Sequence, residues 1–128
     1  VKAETVIIVL PIPPKVLSTN TAIWSQRGRF AKASATRKQR RLAKEAIMEE
    51  RIETAPWKKI SIRPQFFYKT NRKHDEINAI ATLKGAYDGI VDSGLVTDDD
   101  YKHWTNLTPA FFVDSQNPRV LLLIERLA

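Results

Sequence analysis

The spacing of apolar and polar positions marks out six elements along the chain. Glu4 to Leu10 is β-branched and aliphatic and is closed by Pro11, which predicts a strand buried on both faces. The stretch 11–34 carries Pro11, Pro13, Pro14, Ser18, Asn20 and Gly28 with few periodic apolar positions, so a long loop is expected there. Ser34 or Thr36 then caps a helix running to about Ile52, with Leu42, Ala46, Ile47 and Met48 as its apolar stripe. Alternation returns over 57–69, where Ile60, Ile62, Phe66 and Tyr68 are the expected buried positions of a second strand, and 71–74 forms a turn. Helical spacing of Ile80, Leu83, Tyr87, Ile90 and Val91 predicts one helix from about Glu76 to Asp92, ended by Ser93-Gly94 with Gly94 left-handed. Two strands, 107–113 and 119–124, close the pattern around the turn at 114–118. This β–α–β–α–β–β order predicts a mixed α/β fold in a single small domain over residues 1–128. Its mixed sheet is packed by two helices, on one or both faces.

Composition narrows the class. With 128 residues, 43% apolar and 27% charged, the chain has the makings of one core and not the profile of a disordered segment. The absence of cysteine excludes disulfides and thiolate metal sites. The longest apolar run is far too short for a membrane span, and no basic leader with a long apolar core is visible. A cytoplasmic protein with no membrane partner and no small-molecule cofactor is expected.

Charge changes the picture more. Residues 1–74 hold 17 Lys/Arg against 5 Asp/Glu, a net of +12, whereas 75–128 hold 4 against 9, a net of −5. Such a basic half favours a polyanionic partner, since its field steers phosphate backbones and binding releases counterions. A solvated Lys-rich surface is the plainer account. Within 11–34, Trp24, Arg27, Arg29, Phe30 and Lys32 mix cations and rings in a way suited to phosphate contact with stacking, although either ring alone also serves to pin a loop. The first half of the predicted first helix is crowded with Arg37, Lys38, Arg40, Arg41 and Lys44. Cations there oppose the helix dipole, a placement that suits a helix facing phosphates or one with a solvated basic face.

The basic triplet Arg72-Lys73-His74 runs straight into Asp75 and Glu76, and a second acidic run follows at Asp98-Asp99-Asp100. Each has a structural explanation alone: Asp75 as a helix N-cap, the triple Asp as a capping loop. A helix over 76–92 is about 25 Å long, so a chain that turns back after Gly94 brings the two acidic ends together. Gathered carboxylates are favourable when they hold Mg²⁺, a hard ion that polarises phosphodiesters and activates water. A basic groove around an acidic centre is what a metal-dependent nuclease needs. His74 and His103, by contrast, match no short zinc spacing.

Over residues 10–99 the sequence resembles the RusA-type Holliday junction resolvases of bacteria and their phages. The matching residues begin with Leu10-Pro11-Ile12-Pro13-Pro14 and Leu17-Ser18-Thr19-Asn20, then Arg72-Lys73-His74 leading into Asp75-x-x-Asn78. Leu83-Lys84, the run from Asp88 to Leu95 (Asp-Gly-Ile-Val-Asp-Ser-Gly-Leu) and Asp98-Asp99 complete the set. The resemblance implies a homodimeric endonuclease of DNA recombination and repair, dependent on Mg²⁺ with Mn²⁺ as a substitute, that cuts four-way junctions symmetrically. It implies Asp75 and Asp99 as catalytic aspartates and metal ligands, with Asp98 as a neighbouring candidate. Glu76 is a further metal candidate from its place beside Asp75 and not from the resemblance. Lys84 is implied as the essential lysine. Arg72, Lys73 and His74 are implied as DNA contacts beside the site, while Arg27, Arg29, Lys32, Arg37, Arg40 and Arg41 are further DNA-contact candidates on the charge of the basic half alone. One letter departs from the pattern. The family reads Asp-x-Asp-Asn, whereas here Ile77 stands where the second aspartate belongs. On a continuous helix positions 77 and 84 share a face, and Glu76, about 100° away, replaces the missing ligand only if the helix starts late. A lost ligand weakens metal binding, so the alternative is a protein on the same scaffold that binds branched DNA without cutting it.

Overall fold

In a computed structural model, residues 4–18 and 25–128 are described. Thr19, Asn20 and Trp24 fall outside them. Eight helices and strands build a mixed α/β domain: β1 (Thr5–Leu10), α1 (Gln26–Glu49), β2 (Ile60–Tyr68), α2 (Glu76–Ala81), α3 (Lys84–Asp92), β3 (Trp104–Asn106), β4 (Ala110–Val113) and β5 (Arg119–Arg126). A single 3₁₀ turn, Lys15–Leu17, follows the proline-rich segment. The sheet runs β1-β5-β2-β3, with β4 also on β2; β1 and β2 are antiparallel to β5, while β3 and β4 lie parallel to β2.

Side-chain alternation fixes which face is the core. Val6, Ile8 and Leu10 of β1, Ile60, Ile62 and Phe66 of β2, and Val120, Leu122 and Ile124 of β5 pack against Ala43 and Ile47 of α1, Ala79 of α2 and Ala86 and Ile90 of α3. The helices therefore lie on one face. β1 is not buried on both faces as its composition suggests: Ile7 and Val9 are 53% and 58% exposed. The register sets them beside Leu123 and Leu121, and β-branched residues serve an edge strand with one open face as well as a central one.

Three other boundaries move. The first helix begins at Gln26, not at 34–36, because Ser25 is its N-cap and accepts from the Gly28 amide at 3.1 Å. The expected loop is thus helical from residue 26 onward, and Arg27, Arg29, Phe30 and Lys32 ride on helix turns. The strand expected over 107–113 is two short pieces, β3 and β4. Three residues (107–109) stand opposite two of β2 (63 and 64), a bulge at Pro64, which has no amide proton for the ladder. The Arg63 guanidinium closes the gap by donating to the Thr108 carbonyl at 2.6 Å.

The helix expected over 76–92 breaks at Thr82-Leu83 into α2 and α3. Buried Gln39 of α1 holds the break. Its Nε2 donates to the Thr82 carbonyl and its Oε1 accepts from the Ala86 amide, both at 2.9 Å. Two glycines let α3 come that close to α1. A Cβ on Gly85 would meet the Thr36 carbonyl oxygen at 2.7 Å, and one on Gly89 would overlap the Arg40 carbonyl oxygen. The Arg40 guanidinium then clamps the crossing through Asp92, with Nη2 donating to Oδ1 at 2.8 Å and Nε to Oδ2. Gly94, expected to be left-handed, has φ 85° and follows the C-cap Ser93 of α3.

Candidate functional site

Two hollows meet at Thr82, where α2 joins α3. The first is lined by the proline-rich segment (Pro13, Pro14, Lys15, Ser18), by Tyr68 at the end of β2, and by Lys73, His74, Asp75 and Asn78. The second is lined by Leu17, Lys32, Thr36, Ala81, Lys84 and Gly85. Both share Thr82. Chain topology accounts for the meeting: β2 delivers 71–75 to the rim, α2 carries the chain across, and the α1–α3 crossing presents Lys32 beside Lys84.

Asp75 caps α2. Its Oδ1 accepts from the Ile77 amide at 2.8 Å and from the Asn78 amide at 3.3 Å, while Oδ2 takes no part in the cap. Glu76 is the first helical residue and is exposed. Ile77, next to it, is 81% exposed. Because the helix breaks, the alignment of positions 77 and 84 on one face does not hold; they sit on separate helices.

Lys84 opens α3 and sits between two carboxylates, 3.1 Å from Asp88 and 3.5 Å from Asp99. Hydrogen bonding to Asp88, outweighing partial burial, holds its ammonium pKa above the ordinary lysine value, so it stays charged. The chain does turn back after Gly94, but it brings Asp99 to the start of α3 and not to the start of α2. Six-residue α2, about 9 Å of helix at 1.5 Å per residue, lies between Asp75 and that point. Asp98 accepts from the Asp99 amide at 2.7 Å. Asp100 is turned to His103, whose Nδ1 lies 2.6 Å away, and this hydrogen bond lowers the Asp100 pKa.

Among the basic residues, Arg72 and Lys73 are exposed on the segment before α2. His74 is different: its ring stacks on Tyr68 with centroids 3.6 Å apart, and burial followed by the Arg72 charge lowers its pKa. On α1, Arg37 and Arg41 line a shallow hollow with Ser34 and Lys38, and Arg41 also approaches Glu45 at 3.8 Å. Arg40 is committed to Asp92, so its charge clamps helices before it meets any ligand. Arg27 and Arg29 lie exposed on the first turns of α1.

Whether Mg²⁺ fits can be judged from the donors. Among the described residues no group of three or more His, Asp or Glu side chains is gathered as a metal cage. Asp75, with one oxygen outside its cap, and the Asp98–Asp99 pair are exposed hard-oxygen donors. Because α2 separates Asp75 from that pair, each alone fits an ion completed by water and phosphate oxygens, the usual state of Mg²⁺, and together they do not form a cage held by protein alone.

Tyr68, which lines the first hollow, and Gln39, which braces the α2–α3 break behind it, are not among the residues that the sequence marks for the site. Tyr68 is expected only as a buried strand position and is half-buried; for Gln39 the available signal is a polar residue in the apolar track of α1. Neither a model of a known protein family nor a curated protein sequence matches the chain.

Proposed function

We propose that this protein is a Mg²⁺-dependent endonuclease for branched DNA, of the four-way-junction type. The observation that carries the reading is the pairing of Lys84 with Asp99 beside the hollow of Asp75, with Lys15, Lys32 and Lys73 around the rim. Asp75 through Oδ2, with Glu76 beside it at need, would hold an ion at the start of α2, and Asp98 and Asp99 would hold one at the start of α3. When bound it supplies a polarised phosphate and a water made acidic enough to attack. Lys84, kept protonated, places a positive charge where negative charge builds on the phosphate. Arg72 and Lys73 hold the flanking backbone. Cytoplasmic location and a role in recombination and repair belong to the same proposal.

A second copy of the chain is part of it, since two opposing cuts need two sites. Ile7 and Val9 of β1 with Leu123 and Leu121 of β5 form an apolar patch across two strands on the helix-free face, and this patch supports a two-fold contact. Light scattering should give twice the 14.6 kDa chain mass, and Val9→Lys should give the chain mass alone. The deciding assay is cleavage of a synthetic four-way junction with Mg²⁺ or Mn²⁺, with Asp99→Asn as control. No cutting under any divalent ion sinks the enzymatic claim.

Ile77 favours a second reading, in which the protein binds junctions without cutting. An 81% exposed isoleucine beside the Asp75 cap offers no ligand. That reading expects salt-sensitive junction binding without cleavage, and a gain of cleavage in Ile77→Asp. Equal affinity for junction and linear duplex removes it.

A further inference from the structure

The stack at the rim of the Asp75 hollow has more rings than phosphate binding requires. Phe111 and Phe66 lie 5.6 Å apart, Phe66 and Tyr68 another 5.6 Å, and His74 covers Tyr68 at 3.6 Å with planes 11° apart. His74 is exposed, so this ladder ends at the cavity and not in the core. The cavity measures about 350 Å³, within the roughly 300–1,000 Å³ of small-molecule sites. Its walls combine Pro13, Pro14, the His74 ring that ends the ladder and the Tyr68 side chain beneath it with Lys73 and Asp75. The Tyr68 phenol, half buried, has no hydrogen-bond partner among the described residues, and burial alone pushes its pKa up to about 12.

A site for phosphate alone needs cations and amides. Flat apolar faces, a neutral phenol and a lysine suit instead a planar heterocycle attached to a phosphate. In duplex DNA the base is sealed in the stack, and taking it out is least costly where pairing is already broken, as at a branch point. We infer that this cavity takes one unstacked nucleobase, seated on the His74 ring that Tyr68 backs, so that the adjoining phosphodiester lies at Asp75. The inference rests on the DNA reading above and deepens it. Branched DNA is preferred because it supplies a base that linear duplex withholds.

The test is an abasic scan. Binding of a labelled four-way junction is followed by fluorescence anisotropy without Mg²⁺, with single abasic nucleotides placed at each position nearest the branch. One position should weaken binding about tenfold, the loss expected for one base–ring stack. His74→Ala should bind the intact junction about as weakly and no longer respond to that abasic position, whereas Tyr68→Phe, which keeps the ring, should still respond. A flat scan with the unaltered protein, junction binding being intact, overturns the pocket and leaves the DNA reading standing. An abasic penalty that persists undiminished in His74→Ala has the same force. Failure to bind any DNA at low salt overturns both.

Discussion

Replacing Gln39 by leucine should loosen the α2–α3 joint without touching any charged residue of the site. The side chain is buried and makes two hydrogen bonds, to the Thr82 carbonyl and from the Ala86 amide, each 2.9 Å. Leucine fills similar space but makes neither. Ala86 is in the first turn of α3, where the amide has no helical acceptor, and it is buried, so its loss costs roughly 1–3 kcal/mol. The Thr82 carbonyl is only partly buried and recovers water, which brings its share to about 1 kcal/mol. The extra apolar burial of leucine returns on the order of 1 kcal/mol. The net is about 2 kcal/mol of destabilisation, a fall in Tm of roughly 6–10 °C at this chain length. Urea unfolding followed through buried Trp57 and Trp104 should show a lower midpoint with an unchanged m-value, and amide exchange should speed up first at Ala86. Junction cleavage should fall as well, since the joint positions Lys84 relative to Asp75. An unchanged midpoint together with a protected Ala86 amide would refute the account of Gln39 as the brace of this joint.

Gly89→Ala tests the helix crossing: helix propensity favours alanine by about 1 kcal/mol, but the new Cβ overlaps the Arg40 carbonyl and sits 3.0 Å from the Ala43 Cβ, an overpacking cost of roughly 1–3 kcal/mol or more. Thermal melts should show a net loss, and a rise in Tm would contradict the packing. For His74, an NMR titration should give a midpoint below 6.5, moved part-way back by Arg72→Gln. Because its folded pKa is lowered, the unfolded chain binds the proton more readily, so its stabilising effect is complete above 6.5 and is lost as pH falls below that value through the folded midpoint. Removing both Arg72 and Lys73 should weaken binding of junction and duplex alike and reduce the log–log salt slope by about 2, while an unchanged slope would take these residues off the phosphates.

Local chemistry was legible in the sequence wherever one residue acts on its near neighbours. Apolar periodicity put Ile60, Ile62 and Phe66 on the core face of β2 and Ile47, Leu42 and Ala46 on that of α1. Met48, expected in the same stripe, is 57% exposed one position round the helix from Ile47. Asp75 caps α2 as its position suggests, and Gly94 takes the left-handed conformation that ends α3. Proline and glycine placed the turns, because they restrict or free the backbone wherever they stand. The first helix was missed by two turns because a cap at Ser25 is as local as one at Ser34, and only the packing of the helix decides between them. Tertiary structure settled the rest through partners far apart in sequence. Gln39 breaks a helix that periodicity alone would continue, because it reaches Thr82 and Ala86 across 43 and 47 residues. The face of β1 that carries Ile7 and Val9 is open because every helix packs on the other side, and no pattern within six residues records that. The return of the chain after Gly94 was foreseeable, but its landing point was not. Asp99 meets Lys84 and not Asp75 because the glycine-mediated crossing of α1 and α3 fixes where α3 begins.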